Sequence, residues 1–284
     1  MTGAGKCHSV MPLTILETVN DAGTPGKTGD DRVGFDASAG TAWVLDGATD
    51  VTDLRPFPRS ESGAAWVAQA LSDRLIIAPS GDETIEAYFE HVLADVRQRA
   101  AKETRLPLDS LPGEAQPIAS GMWMHLVGDT ATFAWLGDCM AFHERGDTVT
   151  VIGSPDKADD ETDIARKLLA GTPEAQLDYL RAARRRSNET ATVFGLDPRA
   201  ATHLQTHEMT LQEGDRICLM SDGLYRLISP YTTHTPAQFM QLLAAGGLIE
   251  AIATLRAFED APDRDMPRLK ARDDASGVLL HIDA

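Results

Sequence analysis

Apolar and polar positions alternate between two periods along this chain. Thr41-Ala42-Trp43-Val44-Leu45 is a continuous apolar run that stops at Asp46-Gly47, the pattern of a strand buried on both faces. A helix is predicted from about Glu61 to Ile77, with Ser60 as its cap. A second begins near Glu83 and carries Ile85, Tyr88, Phe89, Val92, Leu93 and Val96 at helical spacing. Residues 104–117 hold three prolines and read as a loop. Four strands are then predicted: Ile118 to Val127, Thr130 to Leu136, Met140 to Glu144 and Thr148 to Ile152. Gly128-Asp129 and Gly146-Asp147 supply hairpin turns between them.

Residues 155–190 are polar and helical, ending in the basic run Arg181 to Arg186. Arg216 to Met220 is a further strand, closed by Ser221-Asp222-Gly223. Two short helices are expected over 236–245 and 247–258, then a final strand Gly277 to Ile282 after Asp273-Asp274. Strands joined by hairpins imply antiparallel sheets covered by helices rather than a parallel βαβ sheet. The fold class is therefore α+β. No repeat or linker divides the chain, so residues 1–284 are expected to form one domain.

Composition narrows the function. Hydrophobic residues make up 43% of the 284 positions, enough for a large core. The 43 acidic and 26 basic residues leave a net charge of −17. That charge opposes phosphate backbones and anionic membranes, so nucleic acid and membrane are not expected partners. It suits divalent cations, which carboxylates bind as hard oxygen donors. Cys7, Cys139 and Cys218 have neither metal-site nor disulfide-framework spacing, which fits a reducing, cytoplasmic setting. The N-terminal run Val10 to Leu16 is broken by Pro12 and has no cleavage pattern, and the apolar window Leu242 to Leu255 contains Glu250 and is short of a span.

The chemistry lies in a recurrence. Apolar strands run into an acidic residue beside glycine at Leu45-Asp46-Gly47, Leu136-Gly137-Asp138 and Met220-Ser221-Asp222-Gly223. The last strand has the reverse order, with Asp273-Asp274 before its apolar run, and Asp30-Asp31 ends a Gly-rich loop. Asp-Gly is a common turn signal, and any one of these is explained that way. Together they suggest carboxylates gathered at one end of packed sheets, where mutual repulsion calls for cations. Two hard cations roughly 3.5–4 Å apart are a known device for phosphoryl chemistry.

The set Asp30-Asp31, Asp46-Gly47-Ala48-Thr49, Gly137-Asp138, Ser221-Asp222-Gly223-Leu224 and Asp273-Asp274-Ala275-Ser276 resembles the metal-dependent protein phosphatases of the PPM (type 2C) family, in order and spacing from about residue 15 to 283. The resemblance implies a four-layer α-β-β-α sandwich of two antiparallel sheets flanked by helices. It implies hydrolysis of phosphoserine and phosphothreonine by attack of a water bound to two Mn²⁺ or Mg²⁺ ions. Asp46 resembles the carboxylate that bridges both metals, and Gly47 the glycine whose carbonyl binds one. Asp222 and Asp273 resemble ligands of the other. Asp30 stands where the family usually has a Glu ligand, Asp31 resembles the neighbour that orients water, and Asp138 resembles a residue that holds a weaker third metal. Asp274 and Ser276 resemble supporting residues. The implied partners are a phosphorylated protein substrate and a cognate Ser/Thr kinase, and the chain is expected to be a monomer.

The chain departs from the family pattern in three places. Asp30 is one methylene shorter than Glu. The phosphate-binding Arg four residues earlier is Gly26, which leaves Lys27 as the nearest cation, a point charge without a bidentate fork. Ala48 replaces the His that often follows Asp-Gly. A non-catalytic binding or regulatory module of the same fold is therefore the second reading, and a hydrolase of small phosphate esters a third. The run Arg181 to Arg186 is either a solvated helix face or a recognition segment. His203 and His207 lack a third ligand and suggest a surface role, while Trp43, Trp123 and Trp135 suggest core. A serine-hydrolase elbow and nucleotide-binding loops are absent from the sequence.

Overall fold

The computed structural model describes residues 12–81, 83–155, 171–261 and 272–283. Two five-stranded antiparallel sheets form its centre. The first sheet contains β1 (Leu13–Asp21), β10 (Ala275–Ile282), β9 (Arg216–Met220), β6 (Met140–Arg145) and β7 (Thr148–Ile152), in that spatial order. The second contains β2 (Arg32–Asp36), β3 (Thr41–Gly47), β4 (Ala119–Val127), β5 (Thr130–Leu136) and β8 (Gln205–Thr210).

Side-chain alternation on β3 builds three of the four layers. Ala42 and Val44 join Met122, Phe133, Ile217, Leu219, Val278 and Leu280 in the core between the sheets. Trp43 and Leu45 point the other way, into a core formed with helices α1 (Gly63–Leu75) and α2 (Ile85–Glu103). On the far side of the first sheet, Phe142, Cys218, Met220 and Leu279 pack against α5 (Pro236–Glu259). The result is the helix–sheet–sheet–helix sandwich. Its central strands read as largely apolar runs because both of their faces are covered.

Local signals explain the helix limits. Ser62, not Ser60, caps α1 by accepting from the Ala65 N–H, and Thr84 caps α2 in the same way. α5 is one element, kinked where Gly247 takes φ 71°, so the two expected helices join there. By length and composition α5 could cross a bilayer, a capacity the shorter apolar window in the sequence did not show. Here Phe239, Met240, Leu243, Leu248 and Leu255 are buried against the sheet. Of the polar segment 155–190, the described part forms α3 (Pro173–Thr190), and residues 156–170 lie outside the described ones.

Two strands escaped the pattern. β1 and β2 are edge strands that mix polar residues with exposed Leu16 and Phe35, so neither reads as a clean alternation, and β2 includes Gly34, against which Trp43 packs. His207 lies on β8 and His203 in a 3₁₀ turn, and both side chains are exposed. Trp43, Trp123 and Trp135 are buried, as are Cys139 and Cys218; Cys7 lies outside the described residues.

Candidate metal centre

Register puts the acidic motifs at one end of the sandwich. Asp46 is the penultimate residue of β3 and lies opposite Ser120 on β4. Arg32 pairs with Leu45, so Asp31 enters β2 beside Asp46. Gly137-Asp138 carries the chain from β5, in the second sheet, to β6, in the first. Met220 of β9 pairs with both Met140 and Gly277, which brings Asp222 and Asp273 to the same end. Asp222 opens the single-turn helix α4 (Asp222–Tyr225).

The backbone approaches closely here, and glycine permits it. A Cβ on Gly47 would stand 2.7 Å from the Asp30 carbonyl and 2.9 Å from that of Ala64. A Cβ on Gly223 would stand 1.8 Å from the Asp274 carbonyl. These contacts lock the β3 end to the Asp30 loop and α4 to the start of β10.

The carboxylates are poorly compensated. Asp31 is 1% exposed, and neither of its carboxylate oxygens has a hydrogen-bond donor. Burial first, and the charge of Asp274 second, push its pKa up to about 7, against the nearby Ser276 and Ser221 hydroxyls, which pull it down. Burial also holds Asp46 well above the usual carboxylate range, reinforced by the charges of Asp222, Asp31 and Asp138 and by a hydrogen bond with Asp222. Oδ1 of Asp138 is buried without a donor. The Cys139 thiol behind them is raised by burial and by the same carboxylates, so it is not a nucleophile.

Several predicted residues are otherwise engaged. The Asp30 carboxylate accepts from Ser62, the residue that caps α1. Asp273 accepts from Arg226 at 2.8 Å. Lys27 is exposed at a turn closed by its N–H to the Thr24 carbonyl, and its side chain makes no ion pair among the described residues. Asp274 holds that loop at both ends: Oδ1 accepts from the Gly23 N–H at 2.9 Å and Oδ2 from the Asp30 N–H at 2.5 Å. Ser276 ties β10 to the β9 end, its N–H donating to the Ser221 hydroxyl and its own hydroxyl to Asn20.

Three roles were not visible in the sequence. Arg184, from the basic run on α3, is 6% exposed and donates to the carbonyls of Ala48 and Thr49 at 3.1 and 2.9 Å. Arg181 donates to the Val51 carbonyl at 3.0 Å. Half of the run is thus neither a free recognition surface nor a solvated face; it clamps the loop that follows Asp46-Gly47. Asp50, at the end of that loop, accepts from the Gly63 N–H at the start of α1 at 2.8 Å. No sequence spacing signals any of these contacts, which join separate elements.

The residues fit hard divalent cations in donor type and in charge. All the converging side chains are oxygen acceptors, two of them contribute buried oxygens without donors, and their ionised forms repel one another. Among the described residues no group of three or more acidic, His or Cys side chains is already drawn into a metal-holding set.

The family model for protein phosphatase 2C matches residues 24–255. The chain belongs to the protein phosphatase 2C family. Its fold is that of solved bacterial members. PppA, described as a key regulatory component of the T6SS in Pseudomonas aeruginosa, aligns at 16% identity over 96% of this chain and 99% of that one, with a TM-score of 0.57. The Mycobacterium tuberculosis serine/threonine phosphatase PstP/Ppp aligns at 15% identity over 97% and 100%, also at 0.57. A PstP catalytic domain in complex with two manganese ions aligns at 17% identity over 96% and 99%, at 0.55. A search of curated protein sequences gives no match.

Proposed function

We propose that this protein phosphatase 2C member is a Mn²⁺- or Mg²⁺-dependent phosphoprotein phosphatase acting on phosphoserine and phosphothreonine. The carrying observation is the cluster of uncompensated carboxylates at the common strand end, centred on Asp46 and Asp31. A protein with no cation to bind has no physical reason to keep them together.

Asp46, the Gly47 carbonyl, Asp222 and Asp273 would hold two ions, with Asp138 the donor for a weaker third. Bound there, the ions would supply Lewis acidity toward phosphate oxygens and activation of water. Asp31 is the stronger donor candidate of the Asp30-Asp31 pair, because its oxygens are buried beside Asp46 while Asp30 serves Ser62. Asp31 can also accept a proton from water in the site, since its affinity for one is raised. Arg184 holds the Ala48–Thr49 carbonyls and so fixes the strand end that presents Asp46 and Gly47. Lys27, on the loop pinned by Asp274, offers a cation to the substrate phosphate. Ala48 cannot donate a proton to the leaving alkoxide, so that proton comes from solvent or substrate.

This reading takes as partners a phosphorylated protein and the kinase that modifies it, with the chain acting as a cytoplasmic monomer. Ala48, Lys27 and the engaged Asp30 favour the second reading, a regulatory module, and the description of PppA gives it a fold-level precedent. Phosphate release from a phosphothreonine peptide, measured with Mn²⁺ and with chelator, separates the two. Metal-dependent release supports the phosphatase. Binding of the peptide with no release, under saturating Mn²⁺, supports the module.

A further inference from the structure

Asp273 already has a cation. Arg226 follows α4 directly and is 6% exposed. Its guanidinium donates to Asp273 Oδ2 at 2.8 Å, while Oδ1 accepts from the Asp274 N–H at 3.1 Å. Its backbone N–H donates to the Asp222 carbonyl at 3.0 Å, so the side chain is rooted beside one proposed ligand, and its guanidinium lies between the other, Asp273, and the Glu259 carboxylate 4.0 Å away. The far side is equally fixed. Arg256 donates to the Asp273 carbonyl at 2.8 Å and pairs with Glu259, which accepts from Tyr231. Burial also keeps Arg226 away from any substrate.

We propose that Arg226 is a built-in counter-ion that competes with the metal for Asp273. The inference rests on the reading of Asp273 as a metal donor. Guanidinium stays charged at every accessible pH and cannot release the carboxylate by losing a proton. A cation approaching Asp273 therefore meets a donor already paired with a fixed positive charge. Asp46 and Asp31 have no Arg or Lys partner among the described residues and are pressed instead by neighbouring carboxylates, so they face no such competition. The centre consequently binds one ion tightly on the Asp46 side and a second weakly on the Asp273 side.

An ordinary supporting residue orients a ligand, and its loss weakens metal binding by about 10–100-fold. A competing cation does the opposite, so the sign decides. Mn²⁺ titration calorimetry on the wild type, Arg226→Gln, Arg226→Lys and Asp273→Asn reads it directly. Arg226→Gln keeps a hydrogen-bond donor without the charge, and should tighten the weaker site by about tenfold or more, because a fixed positive charge no longer opposes the ion. Arg226→Lys, which restores the charge, should return it to the wild-type value. In chelator, Arg226→Gln should melt lower than the wild type, and saturating Mn²⁺ should close that gap. Unchanged or weaker binding in Arg226→Gln, with Asp273→Asn weakened as expected, overturns the counter-ion while leaving Asp273 a donor. Should Arg226→Gln fail to fold in chelator, Arg226→Lys with wild-type stability and weaker-than-wild-type binding overturns it equally. Wild-type affinity in Asp273→Asn overturns the donor reading itself, and the inference with it.

Discussion

Single residues decide how the acidic cluster behaves. The folded chain holds a proton on Asp31 up to about pH 7, whereas the unfolded chain releases it near the ordinary value of 3.8. Between those limits the native state binds more protons, so stability is full below the lower value and falls as pH rises toward the upper one. The melting temperature of the chelated protein should therefore decline between about pH 5 and pH 7, Asp31→Asn should flatten the decline, and Mn²⁺ should reverse it. A chelated protein that gains stability over that range would contradict the burial of an uncompensated Asp31. Arg184 works through two carbonyls. Arg184→Met should cost about 2 kcal/mol of stability in urea titration. It should also lower kcat by about tenfold or more at saturating metal, because the strand end bearing Asp46 loosens. Unchanged kcat would reduce Arg184 to a structural role. Asp46, Asp138 and Asp222 were legible as acid-next-to-glycine at strand ends. Arg184 and Arg226 were not, because their partners stand 135 and 47 positions away in the chain.

Elements bring these residues together. Strands buried on both faces, β3, β4, β5, β6 and β9, wrote themselves as apolar runs and were found with ends shifted by at most two residues. β1 and β2 were hidden because an edge strand needs no apolar outer row. The helix break at Gly247 was expected only as a boundary between helices over 236–245 and 247–258, and the sequence could not show that Glu17 on β1 accepts from the Ile249 N–H just past the kink, at 3.3 Å. α4 depends on Gly223, where a methyl group would strike the Asp274 carbonyl. Gly223→Ala should separate α4 from the start of β10, destabilising the fold by about 1–3 kcal/mol and reducing Mn²⁺ affinity in calorimetry. Wild-type affinity in that variant would show that α4 and β10 need not meet for the centre to form.

At the level of the whole molecule, the sandwich turns its two sheets into a platform with the acidic strand ends on one side. The second sheet contributes Asp46 and Asp31, the first contributes Asp222 and Asp273, and Asp138 crosses between them. Neither sheet alone holds the set, so the centre reports directly on the packing of one sheet against the other. Antiparallel sheets covered by helices followed from hairpin spacing and helical periodicity, the four-layer sandwich from the family resemblance, and the union of acidic residues from both sheets from their common position at strand ends. The central claim is that this union is a working metal centre. Hydrolysis of para-nitrophenyl phosphate in Mn²⁺ and in chelator, by the wild type and by Asp46→Asn, tests it most directly. The account predicts turnover that requires Mn²⁺ and is lost in Asp46→Asn; turnover that survives chelator, or that Asp46→Asn retains in full, would contradict it.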